Sequence, residues 1–295
     1  MDETLYLKAI QNVLLNTLQY FIRLCEKHNL RYWLIGGSCL GAVRHKGFIP
    51  WDDDIDVYMP YEDCLKLTTI MNKNKENDYY LLTIDTPNYY YPSMKICNAK
   101  TTLWEWDLFP MVIGIFIDIF PLFTTDWDDN KIFWAYTKYN KVAHRFLHTN
   151  RTFNPNILHE EIQRKYWRGV KSDLKWLLLS PLKQIFSKEF HNLEKKLNKS
   201  EGHKLIAYSD RAYGCQIYKK EWFMDYEREA DFEGIKARIP NGFDEYLTQI
   251  YGDYMQLPPE EKRHSNHGCS YLNLKEGLNM EEIRLRMKHG ERIII

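Results

Sequence analysis

The sequence lacks long hydrophobic runs, paired cysteines and a surplus of charge of either sign. No apolar stretch approaches the roughly 20 residues of a membrane-spanning helix. Asp2 and Glu3 stand where a secretory signal peptide needs positive charge. The six cysteines are scattered, with no Cys-x-x-Cys pair, so neither a zinc ribbon nor a disulfide framework is indicated. We therefore expect a cytoplasmic protein with buried, reduced thiols.

Charge is balanced over the whole chain but not along it. Forty Lys and Arg residues offset forty Asp and Glu residues among 295, which argues against a general nucleic-acid binder. Between Lys131 and Lys199, however, about fifteen basic residues accompany five acidic ones. This segment carries roughly +10 and the remainder roughly −10, so we expect the two regions to face different partners.

Hydrophobic periodicity divides the chain into a mixed first part and a helical middle, with room for one large domain or one domain with an insertion. The expected strands cover residues 31–35, 55–59, 80–84, 93–97 and 112–120. The expected helices cover 6–25, 38–44, 61–71, 130–148 and 158 toward 197, with Ser38 as a cap and a bend at Pro181. This order predicts an α+β fold rather than a regular βαβ repeat.

Four carboxylates within five positions are the strongest chemical signal in the sequence: Asp52, Asp53, Asp54 and Asp56. Carboxylates this crowded repel one another and take up protons unless a cation neutralises them, which favours a divalent metal. If Asp54 and Asp56 lie on a strand, the two-residue period points both side chains to one face. Mg²⁺ is often held by one or two carboxylates together with substrate phosphates. A solvated acidic loop is the alternative interpretation.

Asp118 is a lone carboxylate inside an apolar stretch, IFIDIFPL over residues 115–122. Burying it without a partner is costly, so we expect it to bind either a specific hydrogen-bond donor or the metal. As a third carboxylate it is a candidate metal ligand or general base toward an acceptor hydroxyl. Structural capping at a strand end is the plainer alternative.

Small and basic residues nearby are candidates for binding phosphate. Backbone amides at Gly36, Gly37 and Ser38 are expected to approach an anion at the N-terminus of the following helix. Arg44 and Lys46 can neutralise phosphate charge, but three consecutive basic residues cannot all point inward, so at least one belongs to the surface.

Three polar residues elsewhere are weaker candidates. Lys95, in the expected strand 93–97, is a second phosphate contact or a solvated lysine. His264 and His267 make no recognised ligand set with neighbouring Cys or His, so a structural role is expected for both.

The stretch from Tyr32 to Pro60 closely resembles the signature of the LicD-type phosphotransferases, relatives of fukutin. Its centre reads GAVRHKGFIPWDDDID over 41–56, and the resemblance extends to IDIFPL over 117–122 and YGDYMQLPPEEKR over 251–263. The resemblance implies a nucleotidyltransferase-like mixed β-sheet flanked by helices, with a helical basic and aromatic insertion. The expected division is a catalytic core at 1–123, an insertion facing the membrane or the acceptor at 124–205, and a part completing the catalytic domain at 206–295.

The resemblance also implies a reaction. Members of the family move phosphocholine, glycerol phosphate or ribitol phosphate from a CDP-linked donor to a sugar hydroxyl. The acceptor is a surface glycan, such as lipopolysaccharide, teichoic acid or capsular polysaccharide, or its lipid-linked precursor. Such chemistry is metal-assisted phosphoryl transfer, with CMP leaving in line with the attacking hydroxyl.

Site residues follow from the same resemblance. Asp54 and Asp56 become ligands of Mg²⁺ or Mn²⁺, Asp118 becomes the third carboxylate, and Asp52 is an extra ligand if two metals bind. The residues 36–38 then lie beside the nucleotide phosphates. The sequence departs from the family with GGSCL at 36–40, where members commonly read Gly-Thr-Leu-Leu, and this leaves the small-residue turn intact.

Two other functions remain open from the sequence. A nucleotidyltransferase that attaches NMP to a small molecule would carry a similar carboxylate pair and release pyrophosphate. A catalytically silent partner that binds nucleotide or glycan is the third possibility, and the intact set of Asp54, Asp56 and Asp118 argues against it.

Residues 166–186 combine Trp and Leu with Lys and Arg, as a helix at a membrane surface does. The anionic lipids of the cytoplasmic leaflet attract such segments. The expected contacts are Trp167, Lys171, Lys175 and Trp176. A packed helical lobe with a solvated basic face is the alternative.

Overall fold

The computed structural model describes residues 3–73, 78–106, 108, 111–199, 201–208, 214–224, 228–265 and 268–295. The helices are α1 (Glu3–His28), α2 (Gly36–His45), α3 (Tyr61–Lys73), α4 (Asp129–Thr149), α5 (Pro155–Gln163), α6 (Trp167–Leu179), α7 (Lys183–Leu197), α8 (Glu221–Met224), α9 (Phe243–Tyr251) and α10 (Met280–Lys288). The strands are β1 (Trp33–Leu34), β2 (Asp56–Pro60), β3 (Tyr79–Leu82), β4 (Met94–Asn98), β5 (Thr102–Trp104), β6 (Phe116–Thr125), β7 (Lys204–Ala207), β8 (Gln216–Lys219), β9 (Arg228–Phe232), β10 (Ile235–Ile239), β11 (Tyr271–Asn273) and β12 (Ile293–Ile294). His267 lies outside the described residues.

The main sheet has seven strands and is mixed, as predicted. Its order is β1-β2-β6-β4-β3, and β7 and then β8 extend it beside the far end of β6. Strands β2 and β6 run parallel, while the other neighbours are antiparallel. Smaller sheets are formed by β9 with β10 and by β5, β11 and β12. The α+β fold expected from the sequence is therefore confirmed.

Strand β6 differs from the prediction, which ended the strand at residue 120 because a proline follows. Strand β4 pairs with β6 only as far as Ile119, and β7 begins to pair at Phe123. Pro121 falls between these two partners, and a proline is tolerated in a strand where no ladder hydrogen bond is needed. The strand consequently continues through Pro121 to Thr125 and links two parts of the molecule.

Helix α1 covers the main core. Buried residues spaced three and four apart, Ile10, Leu14, Leu18 and Phe21, belong to the same hydrophobic cluster as Ile117 and Ile119 of β6. This spacing places them along one stripe of the helix. The stripe fixes α1 across the strands that carry the candidate carboxylates.

A helical lobe occupies the chain between β6 and β7. Helix α4 confirms the expected helix at 130–148, and the second expected helix is divided into α5, α6, a 3-10 turn (Ser180–Leu182) and α7. The lobe has its own hydrophobic cluster, built around Tyr139, Phe146 and Phe190, to which Phe123 of β6 also belongs. The division of the chain into domains stays a prediction, and its first boundary, after residue 123, falls inside β6.

None of the helices in the described ranges is both long enough and apolar enough to span a lipid bilayer.

Candidate active site

Three charged residues form a row across adjacent strands of the main sheet. Asp56 is the register partner of Asp118 between the parallel strands β2 and β6, and Lys95 of β4 is the partner of Asp118 on its other side. Register partners place their side chains on the same face of a sheet. Ile55 and Val57, which flank Asp56, are fully buried, as the alternation of a strand requires.

Lys95 holds Asp118 directly. Its Nζ lies 2.8 Å from both carboxylate oxygens, and Ser93 Oγ donates to Oδ1 at 3.5 Å. Lys95 is only 4% exposed, and its ammonium group stands over the Phe116 ring, 3.3 Å from the centroid. The sequence offered Lys95 as a phosphate contact or a solvated side chain; the structure places it as a buried counter-ion of Asp118 beside the cavity.

Asp54 does not lie on a strand, so the condition for placing it on the same face as Asp56 is not met. Strand β2 begins at Asp56, and Asp54 lies in the connection before it. The alternation that would point Asp54 and Asp56 to one face therefore does not apply. Both residues nevertheless line the same cavity, together with Asp52 and Asp53.

Ser38 is not the cap of α2, contrary to the prediction. The helix begins at Gly36, and the N-cap position belongs to Ile35, whose side chain makes no capping bond. Ser38 lies in the first turn, and its Oγ accepts a hydrogen bond from the Asp56 amide at 2.9 Å. Ser38 thus connects α2 to the start of β2 and fixes the backbone that carries the carboxylate of Asp56.

Glycine is required at the start of α2. Gly36 has a φ of +52°, a conformation that disfavours side chains, and a Cβ there would stand 3.8 Å from Asp56 Oδ2. A Cβ on Gly37 would stand 2.5 Å from Asp52 Oδ2. The Gly-Gly pair therefore keeps a cradle open between the helix N-terminus and two of the carboxylates.

The Gly36 amide already has a partner. It donates to Tyr246 Oη of α9 at 2.9 Å, and this phenol is fully buried, which raises its pKa well above the usual value. The Tyr246 hydroxyl therefore stays protonated and neutral. Of the three predicted phosphate-binding amides, Gly36 is engaged within the protein, while Gly37 and Ser38 occupy the following positions of the first turn.

The three consecutive basic residues at 44–46 do not all face the cavity, as the sequence predicted. Arg44 lines the cavity, and its Nη1 donates to the carbonyl oxygens of Tyr254 at 2.6 Å and Gln256 at 3.3 Å. Burial lowers the pKa of Arg44. Lys46 is exposed at the end of α2 with a φ of 59°, and it is not among the described residues that line the cavity.

The cavity has a volume of about 960 Å³ and collects residues from distant parts of the chain. Its wall includes the predicted residues Gly37, Arg44, Asp52, Asp54, Asp56, Lys95 and Asp118, and also His264, for which the sequence had favoured a structural role. It also includes Glu105, Tyr251 and Asp253, which sequence reasoning did not single out. Tyr251 and Asp253 lie within a segment already matched to a family, and that match was the signal that would have found them.

The donor atoms suit a magnesium ion in kind, because they are carboxylate oxygens around an open cradle. Among the described residues, no group of three or more His, Cys, Asp and Glu side chains is arranged to hold a metal. A metal held by one or two of these carboxylates and by substrate phosphates needs no such group. The residues present therefore fit a metal shared with a phosphorylated substrate.

Comparisons with known proteins show which family the chain resembles. The family model described as LicD/FKTN/FKRP, nucleotidyltransferase domain, matches residues 29–156. The lipopolysaccharide cholinephosphotransferase LicD of Haemophilus influenzae is 30% identical over 270 residues, which cover 89% of this chain and 96% of that protein. The human ribitol 5-phosphate transferase FKRP is 49% identical over 47 residues, 16% of this chain and 10% of the relative.

Proposed function

The chain belongs to the LicD family of transferases, and on this premise we propose that it transfers a phospho-alcohol from a CDP-linked donor to a sugar hydroxyl. The proposed acceptor is a surface glycan such as lipopolysaccharide, or its lipid-linked precursor. The observation that carries the proposal is the row of Asp56, Asp118 and Lys95, which lies in one cavity beside the Gly-Gly start of α2.

The proposed metal is Mg²⁺ or Mn²⁺, held by Asp54 and Asp56 with Asp52 or Asp118 as a further ligand. When bound, such a metal neutralises charge on the donor's diphosphate. The carboxylates that would hold it line one wall of the cavity, and the two glycines leave space beside them.

The protein's own groups are proposed to bind the donor phosphates at the N-terminus of α2. Backbone N–H groups in the first turn of a ten-residue helix attract anions through the unpaired amides and the helix dipole. Of residues 36–38, Gly37 lines the cavity and is proposed to present its amide to the donor, with Ser38 next to it in the first turn; Arg44, near the C-terminal end of α2, also lines the cavity and adds positive charge.

Asp118 is proposed to accept the proton of the acceptor hydroxyl. Its carboxylate lines the cavity, and Lys95 holds both oxygens in a fixed orientation. A positioned base contributes to catalysis only when it lies within hydrogen-bond reach of the proton that it removes. The salt bridge with Lys95 supports this role because it fixes where the carboxylate points.

Choline is the first alcohol to test. The relative that matches most of the chain is a cholinephosphotransferase, and the residues lining the cavity include Phe120 and Glu105. Aromatic faces and a carboxylate attract a quaternary ammonium group.

The test is release of CMP from CDP-choline, CDP-glycerol and CDP-ribitol, with and without Mg²⁺, accompanied by thermal unfolding of each mixture. We expect Mg²⁺-dependent stabilisation and CMP release with one CDP-alcohol, and loss of turnover in the presence of a chelator. Asp54→Ala and Asp56→Ala should abolish CMP release, while Asp126→Asn, an exposed acid outside the cavity, should not. Pyrophosphate release from a nucleoside triphosphate would instead identify a nucleotidyltransferase.

The proposed site of action is the cytoplasm, at the inner face of the membrane. This location is where a CDP-linked donor and a lipid-linked glycan acceptor would meet. The six cysteines are free in the structure, and four of them are buried, which is compatible with a reducing compartment.

A further inference from the structure

The helical lobe exposes a run of large apolar side chains that its own core does not use. Leu174 is 57% exposed, Leu178 is 78% exposed and Ile185 is 61% exposed. We define the leucine stripe as these residues with the other exposed apolar side chains of α6, the 3-10 turn and α7: Trp167, Leu174, Leu177, Leu178, Leu182 and Ile185. Within α6, the steps of seven, three and four residues that join Trp167, Leu174, Leu177 and Leu178 keep these four on one side of the helix, and Leu182 and Ile185 follow in the 3-10 turn and α7.

The opposite side of α6 explains why the stripe faces outward. Asp173 is buried and forms an ion pair with Arg151. Trp176 donates its Nε1–H to the Arg151 carbonyl oxygen at 2.9 Å and stacks on Phe153. The helix is therefore attached to the lobe through polar and aromatic contacts, and its leucines remain in solvent.

Basic side chains accompany the stripe along the chain, and one of them, Arg164, is ion-paired with Glu160. The exposed basic residues from 164 to 188 are Arg164, Lys165, Arg168, Lys171, Lys175 and Lys188. Every residue in this range is described, and none of the exposed ones is acidic, because Asp173 is buried. An apolar face bordered by lysine and arginine is the surface that an interfacial helix presents to anionic lipid.

We propose that the leucine stripe is a membrane-docking surface for an anionic lipid bilayer. The proposal rests on the proposed function at one point: a lipid-linked acceptor would lie in the membrane to which the protein docks. The leucines enter the boundary between headgroups and acyl chains, and the lysines contact lipid phosphates. Two copies of the chain are poor partners for each other through this face, since each copy would bring the same positive border.

The structure changes which residues should make the contact. The sequence had assigned Trp176 to the lipid-facing set, but Trp176 is only partly exposed, because its ring stacks on Phe153 and its Nε1–H donates to the Arg151 carbonyl oxygen. Trp167, Lys171 and Lys175 are exposed as expected, and the leucines of α6 with Ile185 of α7 form the larger part of the surface.

Flotation of the full chain with vesicles tests the proposal without any substrate. Vesicles of phosphatidylcholine alone are compared with vesicles that also contain phosphatidylglycerol. We expect flotation with the anionic vesicles, weakened by salt, and little flotation with the neutral ones. Because the readout is binding, failure to dock is distinguishable from failure of the transfer reaction, which is measured as CMP release in solution.

Matched variants locate the surface. Leu174→Glu with Leu178→Glu should lose flotation, whereas Leu65→Glu with Leu285→Glu, at exposed leucines of α3 and α10, should retain it. Lys171→Gln with Lys175→Gln should weaken binding about 30-fold, at roughly fivefold for each basic residue near the surface. Far-UV circular dichroism checks that every variant is folded.

Three results would overturn the proposal. The first is failure of the intact protein to float with either type of vesicle, and the second is equal flotation of the stripe and control variants. The third is a dimer in solution that the stripe variant converts to a monomer while vesicles bind neither form. That result would assign the stripe to self-association.

Discussion

At the scale of single residues, Lys95 separates Asp118 from the other carboxylates of the site, because it neutralises the charge of Asp118. The sequence argued for a metal because crowded acids need positive charge. The structure shows that Asp118, which the sequence treated separately as a lone carboxylate, has a buried ammonium group on both of its oxygens. The crowded acids at positions 52 to 56 therefore remain the stronger argument for a bound cation.

Replacement of Lys95 by methionine should destabilise the protein. It leaves the Asp118 carboxylate, whose side chain is 15% exposed, without its counter-ion, at a cost of about 3 kcal/mol in the free energy of unfolding. Urea denaturation measures this loss. Lys100→Met is the matched control, because Lys100 pairs with Asp78 at the surface and should cost less than about 1 kcal/mol. Equal effects of the two substitutions would show that the buried pair has no special role.

Gly37→Ala should impair activity more than stability. The added Cβ would stand 2.5 Å from Asp52 Oδ2, so the carboxylate of Asp52 must move away. Alanine also has a higher helix propensity than glycine, which adds up to about 1 kcal/mol to the free energy of unfolding. We expect a higher Mg²⁺ requirement for CMP release and little change in the unfolding temperature. Gly268→Ala is the control, since that glycine lines the same cavity but an added Cβ meets no atom within 4 Å. An unchanged Mg²⁺ requirement in Gly37→Ala would contradict the proposal that Gly37 leaves space for a metal beside Asp52.

At the scale of elements, His191 fastens α7 to the loop after β3. Its Nε2 lies 3.0 Å from Asp85 Oδ1 and its Nδ1 lies 3.1 Å from Glu194 Oε2. The hydrogen bond with Asp85, followed by that with Glu194, raises the pKa of His191 to about 9. The charged imidazolium therefore persists in the folded state at pH values where the unfolded chain has lost it.

The ion pairs of His191 with Asp85 and Glu194 make the stability of the lobe depend on pH. A histidine with a raised pKa contributes stability fully below its unfolded pKa, near 6.5, and loses it as the pH rises through about 9. His191→Gln should lower stability by about 1 kcal/mol at pH 6, after allowance for solvent screening of a partly exposed group, and by much less above pH 9. Thermal unfolding of both proteins across this range measures the difference. A loss that does not depend on pH would indicate packing rather than charge.

The elements that the sequence predicted best are long and strongly periodic. Helix α1 and helix α4 match their expected ranges because their apolar residues repeat at helical spacing over many turns. The expected strand at 112–120 was misplaced, since Pro121 looked like a stop. Only the tertiary gap between β4 and β7 makes a proline acceptable there.

At the scale of the whole molecule, much of the site was not predictable because its parts come from distant positions. Tyr246 binds Gly36 across 210 residues, and Arg44 reaches the Tyr254 carbonyl across the same separation. No local pattern reports such a contact. The carboxylates were found because their chemistry is concentrated in a few consecutive residues, whereas the groups that orient them are scattered.

The sheet and the helical lobe should unfold together. Strand β6 supplies Ile117 and Ile119 to the main core and Phe123 to the core of the lobe. Phe123→Ala should cost about 4 kcal/mol, since its ring is fully buried between Tyr61 and Tyr139, while Phe133→Ala on the exposed face of α4 should cost under about 1 kcal/mol. Circular dichroism and tryptophan fluorescence should report one coincident transition in urea. Separate transitions would mean that the shared strand does not couple the two cores.

The pairing of Thr125 with Lys204 places the two ends of the helical lobe side by side in the sheet. In topological terms, residues 126–203 are the loop of a β-hairpin. Such a loop can change in length and surface without altering the strand register that sets Asp56 against Asp118. A different lobe would still have to cover Phe123, Ile206 and Tyr208, which are buried beneath the present one. The lobe is therefore exchangeable but not dispensable, and a chimera that exchanges it would redirect the same chemistry to a different surface.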